Sequence, residues 1–354
     1  MIQIINRGKF MEEKLLSVIM PTFNSVKYID RTMNSLFLMI ENYSKLVEVI
    51  IVDDGSSDGT QVRLKQLAKK YDYIKIITNK HCGVSSARNL GMVSATGKYV
   101  TFLDSDDTFE SNFIETFQQL TLNHNEPDLI FVDVKQLKTP YLMTELNKQE
   151  KLQVMQSTLN LGEVKTKQGI ASKFFKLSFL LDNNLRYDNR IVISEDALFN
   201  LECISKANSV LLAPNLFYHV EESHTLMYYS PQNLNGQLAF LAELKNLLKD
   251  YKEESLASTI LNQSKLKATN LIVDRYYGPL YINGTNSLMR SAHLLEKTIK
   301  ENNFDSALKT NQFDDILSIR YRVFRRLLKC HQYRLCLLFD KYLDKIKGYD
   351  RFRQ

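Results

Sequence analysis

The amino-acid sequence predicts an α/β fold in the first part of the chain and a separate helical region after it. In residues 15–103, short apolar segments of strand length alternate with segments whose apolar residues recur at helical spacing. Four successive strand–helix units indicate a doubly wound parallel sheet with right-handed crossovers. From residue 229 onward, Gly and Pro are scarce and Leu and Lys are abundant, and strand-like alternation is confined to residues 276–282. The second part is therefore predicted to be helical.

The predicted strands define one edge of the sheet. Apolar segments of strand length lie at residues 15–20 (LLSVIM), 47–52 (VEVIIV), 74–78 (IKIIT), 98–103 (KYVTFL) and 128–134 (DLIFVDV). The carboxyl ends of parallel strands meet at the same edge, and the loops at that edge are where a nucleotide is expected to bind.

Helices are predicted between these strands. The first follows a cap at Asn24 and Ser25, and its apolar residues continue at helical spacing to Ile40. Further helices are predicted at residues 60–71, 84–95 and 113–122. A later helix is predicted at residues 193–207 (ISEDALFNLECISKA), capped by Ser194 and with two acidic residues in its first turn.

Length and composition limit the class of protein. A chain of 354 residues with 44% apolar content can bury a sizeable core, and its length suggests two domains. No segment approaches the roughly 18 uncharged apolar residues of a transmembrane helix, and the N-terminus has no apolar segment of signal-peptide length. We therefore expect a cytoplasmic protein. The four cysteines show no paired spacing, which indicates reduced, mostly structural thiols.

Positive charge is concentrated at the C-terminus. Residues 320–353 carry a net charge of +8, whereas the whole chain carries +6. Leu327, Leu328, Leu335, Leu338 and Tyr342 follow helical spacing there, among basic residues. We predict that this helical region forms a homo-oligomer and contacts an anionic membrane at the cell's inner face. No nucleic-acid motif is present, so nucleic acid is not the expected partner; a solvated face on a packed helix remains the alternative.

Two acidic loops follow predicted strands. The segment FLDSDD at residues 102–107 places three carboxylates in four positions, and VDDGSSDGT at residues 52–60 ends another strand. Carboxylates packed so densely repel one another unless a divalent cation or a solvated turn offsets them. A plain turn is the alternative for each loop alone. Two such loops at one edge favour a cation site.

Other residues at this edge suit a nucleotide. Pro21 shapes the turn after the first strand, and Phe23 offers an aromatic face for a base. Asp54 can accept a hydrogen bond from the imide of a base edge. Arg88 lies in the first turns of a helix that follows Gly83, where the helix dipole and the guanidinium both favour phosphate. No glycine-rich dinucleotide fingerprint or P-loop is present.

Five motifs in order resemble one known family. SVIMPTFN, VDDGSSDGT, GVSSARNLG, FLDSDD and SEDALFN are similar to the motifs of inverting family 2 glycosyltransferases with the GT-A fold, of the bacterial surface polysaccharide and glycoprotein glycan type. The resemblance covers residues 15–225. It implies a UDP-sugar donor, a divalent cation (Mn²⁺ or Mg²⁺), and transfer to a hydroxyl of a glycan, teichoic-acid or glycoprotein acceptor with inversion at the anomeric carbon.

The resemblance also implies roles for individual residues. Pro21, Phe23 and Asp54 would line the uridine pocket, and Arg88 would lie near the donor phosphate or sugar. His81 stands two positions before the motif glycine, where the family commonly has Asn, and would alter the base or ribose contacts.

Metal and catalytic roles follow from the later motifs. Asp104 and Asp106 form the family's DXD element. Asp106 would bind the metal, and Asp104 would be a second metal ligand and would contact the ribose or sugar. His219, or His224 in the same predicted loop, would supply a third metal ligand or a phosphate contact, although a plain loop histidine is the alternative. Lys173 would add a positive group, or be a surface lysine. Asp196 matches the catalytic base that removes the proton from the acceptor hydroxyl, with Glu195 as its rival.

The predicted organisation is therefore a tail at residues 1–14, a GT-A catalytic domain at 15–228 and a helical domain at 229–354. A non-catalytic scaffold that binds sugar nucleotides and a nucleotidyltransferase are alternatives. The acidic set of Asp104, Asp106 and Asp196 argues against the scaffold, and the lack of a glycine-rich triphosphate loop argues against the nucleotidyltransferase.

Overall fold

The computed structural model describes residues 14–167, 169–221, 231–309 and 318–347. The chain forms two compact units. The first consists of the described parts of Met1–Leu146, Val164–Tyr187 and Cys203–Glu221. The second consists of those of Asn147–Glu163, Asp188–Glu202 and Glu222–Gln354. The units are thus assembled from interleaved segments, and the boundary at residue 229 stays a prediction.

The first unit is built on a mixed sheet. The strands in the described residues are β1 (Leu16–Thr22), β2 (Val47–Asp53), β3 (Ile74–Thr78), β4 (Tyr99–Phe102), β5 (Thr108–Phe109), β6 (Leu129–Phe131), β7 (Tyr141–Thr144), β8 (Lys173–Lys176), β9 (Ser209–Leu212) and β10 (Tyr218–His219). Eight of these strands form one sheet in the order β3-β2-β1-β4-β8-β6-β9-β7, and β5 and β10 form an antiparallel ribbon.

The sequence predicted parallel strands, and most strands of the sheet confirm this prediction, whereas two strands do not. Strands β1 to β4 are parallel, as expected from helix-length connections between them. Strand β8 runs antiparallel to both β4 and β6, and β7 runs antiparallel to β9. Strands β6 and β9 pair parallel and keep the direction of β1 to β4, so the prediction of a parallel sheet was wrong for β8 and β7. The cause is that β8 enters the sheet between two strands that precede it in the chain.

Strand register aligns the loops of the carboxyl edge. Every residue of β1 is buried, as expected for a strand covered on both faces. Thr22 at the end of β1 pairs with Asp53 of β2, and Asp53 pairs with Thr78 of β3. The residues that follow these three positions therefore start at the same level of the sheet.

Helices cover this sheet and lie close to their predicted positions. In the first unit they are α1 (Ile29–Ile40), α2 (Thr60–Lys70), α3 (Val84–Ser94), α4 (Phe113–Asn123) and α6 (Leu177–Asp182). Helix α1 begins four residues after the predicted cap at Asn24 and Ser25, because residues 25–28 first form a turn closed by the Tyr28 N–H on the Ser25 carbonyl (2.9 Å). In α3, Gly91 allows close packing on β1, since a Cβ there would lie 2.3 Å from Ile19.

The second unit is helical, as predicted. Its helices, together with α7, which crosses the boundary between the units, are α5 (Lys148–Thr158), α7 (Glu195–Lys206), α8 (Pro231–Leu247), α9 (Ser255–Ile272), α10 (Gly278–Ile282), α11 (Leu288–Glu301), α12 (Asp305–Lys309), α13 (Ile319–Lys329) and α14 (Tyr333–Lys347). The strand-like alternation at residues 276–282 is a π-helical turn (Val273–Tyr277) followed by α10. This segment is helical and not extended, because Val273, Tyr277 and Leu280 follow helical spacing and are all buried on one face. No helix among the described residues is long and apolar enough to cross a membrane.

Candidate active site

The loops after β1 and β2 hold each other at the carboxyl edge. Asn24 has a left-handed backbone (φ 49°) that turns the chain away from the sheet. Its backbone N–H donates to Ser56 Oγ, and its side-chain oxygen accepts from the Ser57 N–H, both at 2.9 Å. Because these bonds fix the turn, the ring of Phe23 is 46% exposed at this edge, directly after the buried Pro21 and Thr22.

Asp54 anchors the loop that leads into α3. Its buried carboxylate accepts hydrogen bonds from the backbone N–H groups of Cys82 and Gly83 and from the Asn79 amide, all at 2.8 Å. Bonds from backbone N–H groups to a carboxylate are among the stronger hydrogen bonds in proteins. Asp54 therefore positions residues 79–83, a role that the sequence did not predict. Asn79 was also missed, although its place directly after β3 is a signal for the same edge.

His81 lies beside Phe23 in the structure. The two ring centroids are 4.5 Å apart, and His81 Nδ1 lies 3.1 Å from the Asp54 carbonyl oxygen. His81 also has a left-handed backbone (φ 52°), and such backbone conformations in residues other than Gly cluster at functional sites. The two exposed rings are tilted by 35° to each other, and each offers an aromatic face of the kind on which a base stacks.

Arg88 points from α3 towards the acidic residues after β4. Its side chain is buried, and its Nη2 donates to Asp104 Oδ1 at 3.2 Å. The guanidinium also lies 5.3 Å from the ring centroid of Tyr187, and Asn89 exchanges hydrogen bonds of 2.8 and 2.9 Å with the Tyr187 backbone. These contacts hold a positive charge at the carboxyl edge. Tyr187 was missed because it lies 98 residues from Asn89 and belongs to no motif.

Asp104–Asp107 form a turn that we call the acidic loop. Tyr218 supports it from the β5–β10 ribbon: the hydroxyl donates to Asp107 Oδ2 at 2.6 Å and accepts from the Asp104 N–H at 3.2 Å. The Glu221 N–H donates to the other Asp107 oxygen at 2.9 Å. Burial raises the pKa of Asp107 to about 6, against the effect of these hydrogen bonds, and the charges of Asp104 and Asp106 add to the increase. Asp107 is thus a structural carboxyl group of the loop.

Helix α1 supports the acidic loop from another side. Arg31 Nη2 donates to the Asp106 carbonyl at 2.6 Å, and the Thr32 hydroxyl donates to the Ser105 carbonyl at 3.0 Å. The hydroxyls of Ser25 and Ser105 are 2.6 Å apart. The backbone of the loop is therefore held by side chains from α1 and the ribbon, while the Asp104 side chain remains 43% exposed.

The acidic loop suits a divalent cation that also binds phosphate. Mg²⁺ is usually held by one or two carboxylates together with substrate phosphates and water, and the acidic loop carries two carboxylates, Asp104 and Asp106. Among the residues that the structure describes, no group of three or more His, Cys, Asp and Glu side chains could hold a metal by itself. His219 Nε2 is paired with Glu110 Oε1 at 2.5 Å, and His224 lies outside the described residues. The donor set fits a cation that completes its coordination from a diphosphate.

Lys173 lies inside the first unit. It belongs to β8 and is 1% exposed, and its ammonium donates to the Gly169 carbonyl at 2.8 Å and lies 5.5 Å from the Phe131 ring centroid. Its charge is satisfied by the carbonyl groups of the loop that precedes the strand. The alternative of a surface lysine was therefore wrong.

Asp196 belongs to the second unit, at the start of α7. It is the second residue of the helix and is partly buried. Ser194, just before the helix, has a left-handed backbone (φ 66°), and its carbonyl accepts from the Leu198 N–H at 3.0 Å. The N-terminal end of a helix favours a negative charge, so the helix stabilises the ionised form of this carboxyl group.

Comparison with known proteins finds a family match that covers the strands of this sheet edge. Residues 17–179 match the family model described as glycosyl transferase family 2, and they include β1 to β4 and the acidic loop. The match identifies this part of the chain as a glycosyltransferase family 2 domain. The predicted enzyme class, a glycosyltransferase, is confirmed.

Two named relatives are similar to this chain at 28% and 25% identity. A cholesterol galactosyltransferase from Borreliella burgdorferi is 28% identical over 246 residues, which cover 66% of this chain and 67% of that protein. The poly(ribitol-phosphate) beta-N-acetylglucosaminyltransferase TarS from Staphylococcus aureus is 25% identical over 264 residues, or 72% of this chain and 45% of TarS. The match therefore spans less than half the length of this second relative.

Solved structures show the same fold. The crystal structure of S. aureus TarS 1-349 in complex with UDP has a TM-score of 0.61 and 18% identity, and the likeness covers 96% of this chain and 94% of that chain. The prediction of a GT-A domain followed by a helical region is confirmed.

Proposed function

We propose that this glycosyltransferase moves a sugar from a UDP-sugar donor to a hydroxyl group of a glycan, teichoic-acid or glycoprotein acceptor, with Mn²⁺ or Mg²⁺ as its cofactor and with inversion. The observation that carries the proposal is the hydrogen bond from Arg88 to Asp104. It lies at the sheet edge where the rings of Phe23 and His81 are exposed. One edge of the sheet thus offers a surface for a base, a positive charge for phosphate and carboxylates for a cation.

The donor is bound in two parts. The uracil ring stacks beside Phe23 and His81, next to the loop that Asp54 anchors. The diphosphate lies near the guanidinium of Arg88 and the acidic loop. Asp104 and Asp106 would hold the cation, which when bound stabilises the negative charge that develops on the leaving diphosphate.

The acceptor hydroxyl needs one base. In an inverting displacement, a single carboxylate removes the proton while the hydroxyl oxygen attacks the anomeric carbon, and the UDP leaves from the opposite face. Asp196 is the proposed base, since the start of α7 stabilises its ionised form. No covalent nucleophile is required.

Relatives support the donor more than the acceptor. TarS has been solved in complex with UDP and with UDP-GlcNAc, which makes a UDP-sugar the first donor to test. The relatives' names point to different acceptors, a sterol in one and a poly(ribitol phosphate) in the other. Both acceptors present a hydroxyl group, which is also the reacting group of the acceptors that we propose for this chain.

Calorimetry with UDP tests the proposed donor site. We expect wild-type protein to bind UDP in the presence of Mn²⁺ or Mg²⁺ and to lose most of this binding in EDTA. Asp106→Ala should weaken metal-dependent binding at least about 10-fold, because the cation loses a carboxylate ligand. Asp182→Ala is the matched control, since Asp182 is exposed at the end of α6 in the same unit. Unchanged metal-dependent binding in Asp106→Ala would remove Asp106 from the metal site.

A second measurement tests the base. Asp196→Asn should bind UDP like wild type and should lose about 10²-fold or more of transferase turnover, followed as UDP release with a panel of hydroxyl acceptors. Glu195→Gln is the comparison on the same turn of the helix. If Glu195→Gln instead carries the loss, the role of base passes to Glu195.

A further inference from the structure

Helix α14 presents a row of apolar side chains to the solvent. Leu335, Leu338, Tyr342 and Ile346 are 50%, 40%, 60% and 61% exposed. Their spacing of three, four and four residues places them within about 80° of one another around the helix axis. We call these four residues the outward row.

The rest of α14 is already packed within its own unit. Tyr333, Cys336 and Leu337 are buried on the opposite side, and Asp340 is fully buried in an ion pair with Arg320. This arrangement corrects the stripe expected from the sequence, in which the exposed Leu335, Leu338 and Tyr342 were grouped with the buried Leu328. The unit therefore leaves a large part of each side chain of the outward row uncovered.

Basic side chains border the outward row. Arg334 and Lys345 are exposed and lie on one flank of it, about 20° to 40° from Leu338 around the axis. Lys341 lies on the same flank, with its ammonium 4.5 Å from the ring centroid of Tyr281. The acidic residues of the described parts of α13 and α14 are Asp340 and Asp344, and both lie on the side opposite the row. The outward face thus combines apolar and positive groups.

We propose that the outward row and its basic border dock this enzyme on an anionic phospholipid membrane. Apolar side chains with Lys and Arg along their edge fit a helix that lies in the plane of the headgroups, where the apolar groups insert and the cations meet phosphates. Long basic side chains reach the headgroups while their stems stay on apolar surface. A second copy of the chain fits less well, because a symmetric contact through this face would bring the same positive groups together. The proposal does not depend on the identity of the donor or acceptor.

Vesicle sedimentation with the full chain tests this surface. We expect binding to phosphatidylcholine vesicles that contain about one third phosphatidylglycerol, weak binding to pure phosphatidylcholine, and a loss of binding at high salt, because headgroup charge is screened. The double variant Leu338→Ser/Tyr342→Ser should bind at least 10-fold more weakly, and so should Arg334→Gln/Lys345→Gln.

A matched control separates this face from exposed apolar residues in general. Leu38→Ser/Leu122→Ser changes two side chains that are 74% and 66% exposed on α1 and α4, and it should bind vesicles like wild type. Thermal melts of all variants check that each is folded. The proposal is overturned if wild type ignores anionic vesicles or if the α14 variants bind them unchanged. It is also overturned if light scattering shows that the α14 face holds a dimer that does not bind vesicles.

Discussion

Removal of one hydroxyl group should loosen the acidic loop. Tyr218→Phe keeps the buried ring in place but removes the group that donates to Asp107 at 2.6 Å and accepts from the Asp104 N–H at 3.2 Å. The ring retains its edge-to-face contact with Phe109. No cavity of appreciable size is left, so the effect reports the hydrogen bonds.

The two bonds set the magnitude. At neutral pH, above the pKa of about 6, Asp107 is largely ionised and buried, and loss of a hydrogen bond to such a group costs about 1.5–3 kcal/mol. The longer bond from Asp104 adds about 0.5–1 kcal/mol. The expected total is about 2–4 kcal/mol, which lowers the Tm by about 5–10 °C for a unit of this size. Because the loop carries Asp104 and Asp106, the Kd for UDP with Mn²⁺ should rise about 10-fold.

Thermal melting and calorimetry measure the two effects on the same samples. Tyr141→Phe is the matched control, because Tyr141 is 56% exposed on β7 of the same unit, and it should match wild type in both. A Tyr218→Phe protein with unchanged Tm and unchanged Kd would refute the assignment of Tyr218 as support for the loop. A lowered Tm with an unchanged Kd would limit its role to folding.

Three further predictions follow from other contacts. Burial, with the charges of Asp188 and Glu243, raises the pKa of Glu202 from 4.5 to about 7, so the folded state holds this proton more tightly than the unfolded state. The contribution of Glu202 to stability is then fully present below about pH 4.5 and is lost as the pH rises through 7. Melts should show Glu202→Gln as more stable than wild type at pH 8 by about 1–2 kcal/mol, allowing for solvent screening, with no gain at pH 4. Gly97→Ala should lower the free energy of unfolding in urea by about 2–4 kcal/mol, since its Cβ would lie 2.6 Å from the β1 backbone. The control Gly162→Ala should cost under about 1 kcal/mol, because its Cβ meets a flexible side chain at 3.3 Å. Arg88→Lys should raise the Kd for UDP about 10-fold by calorimetry, because Lys cannot reproduce the planar guanidinium contacts with Tyr187 and Asp104; an unchanged Kd would remove Arg88 from the phosphate site.

Much of the fold was determined by local pattern. The apolar runs of β1, β2 and β3 match the observed strands to within two residues. Helices α2 and α3 begin at their predicted residues, and α1 begins four residues after its predicted cap. These signals are local, because a strand buried on both faces needs a continuous apolar run and a helix needs apolar residues every three or four positions. Strand β8 is different. KFFK is too short to specify its partners. Its place between β4 and β6 depends on pairing with β4 across more than 70 residues of chain and with β6 across more than 40.

The candidate site likewise contains residues that the sequence could name and contacts that it could not. Phe23, Asp54, Arg88, Asp104 and Asp106 could be named from the sequence, since each stands at the end of a strand or the start of a helix, and strand order alone brings those ends together.

The contacts that hold these side chains were decided by the tertiary structure. Tyr218 lies 111 residues from Asp107, and no periodicity or motif links the two positions. The burial of Lys173 was also decided by the tertiary structure, which surrounds its ammonium with loop carbonyls. The buried face of α14 could likewise be assigned only once the neighbouring helices were in place. A sequence records which groups a chain carries along its length, whereas hydrogen-bond partners and buried faces depend on how distant segments meet in three dimensions.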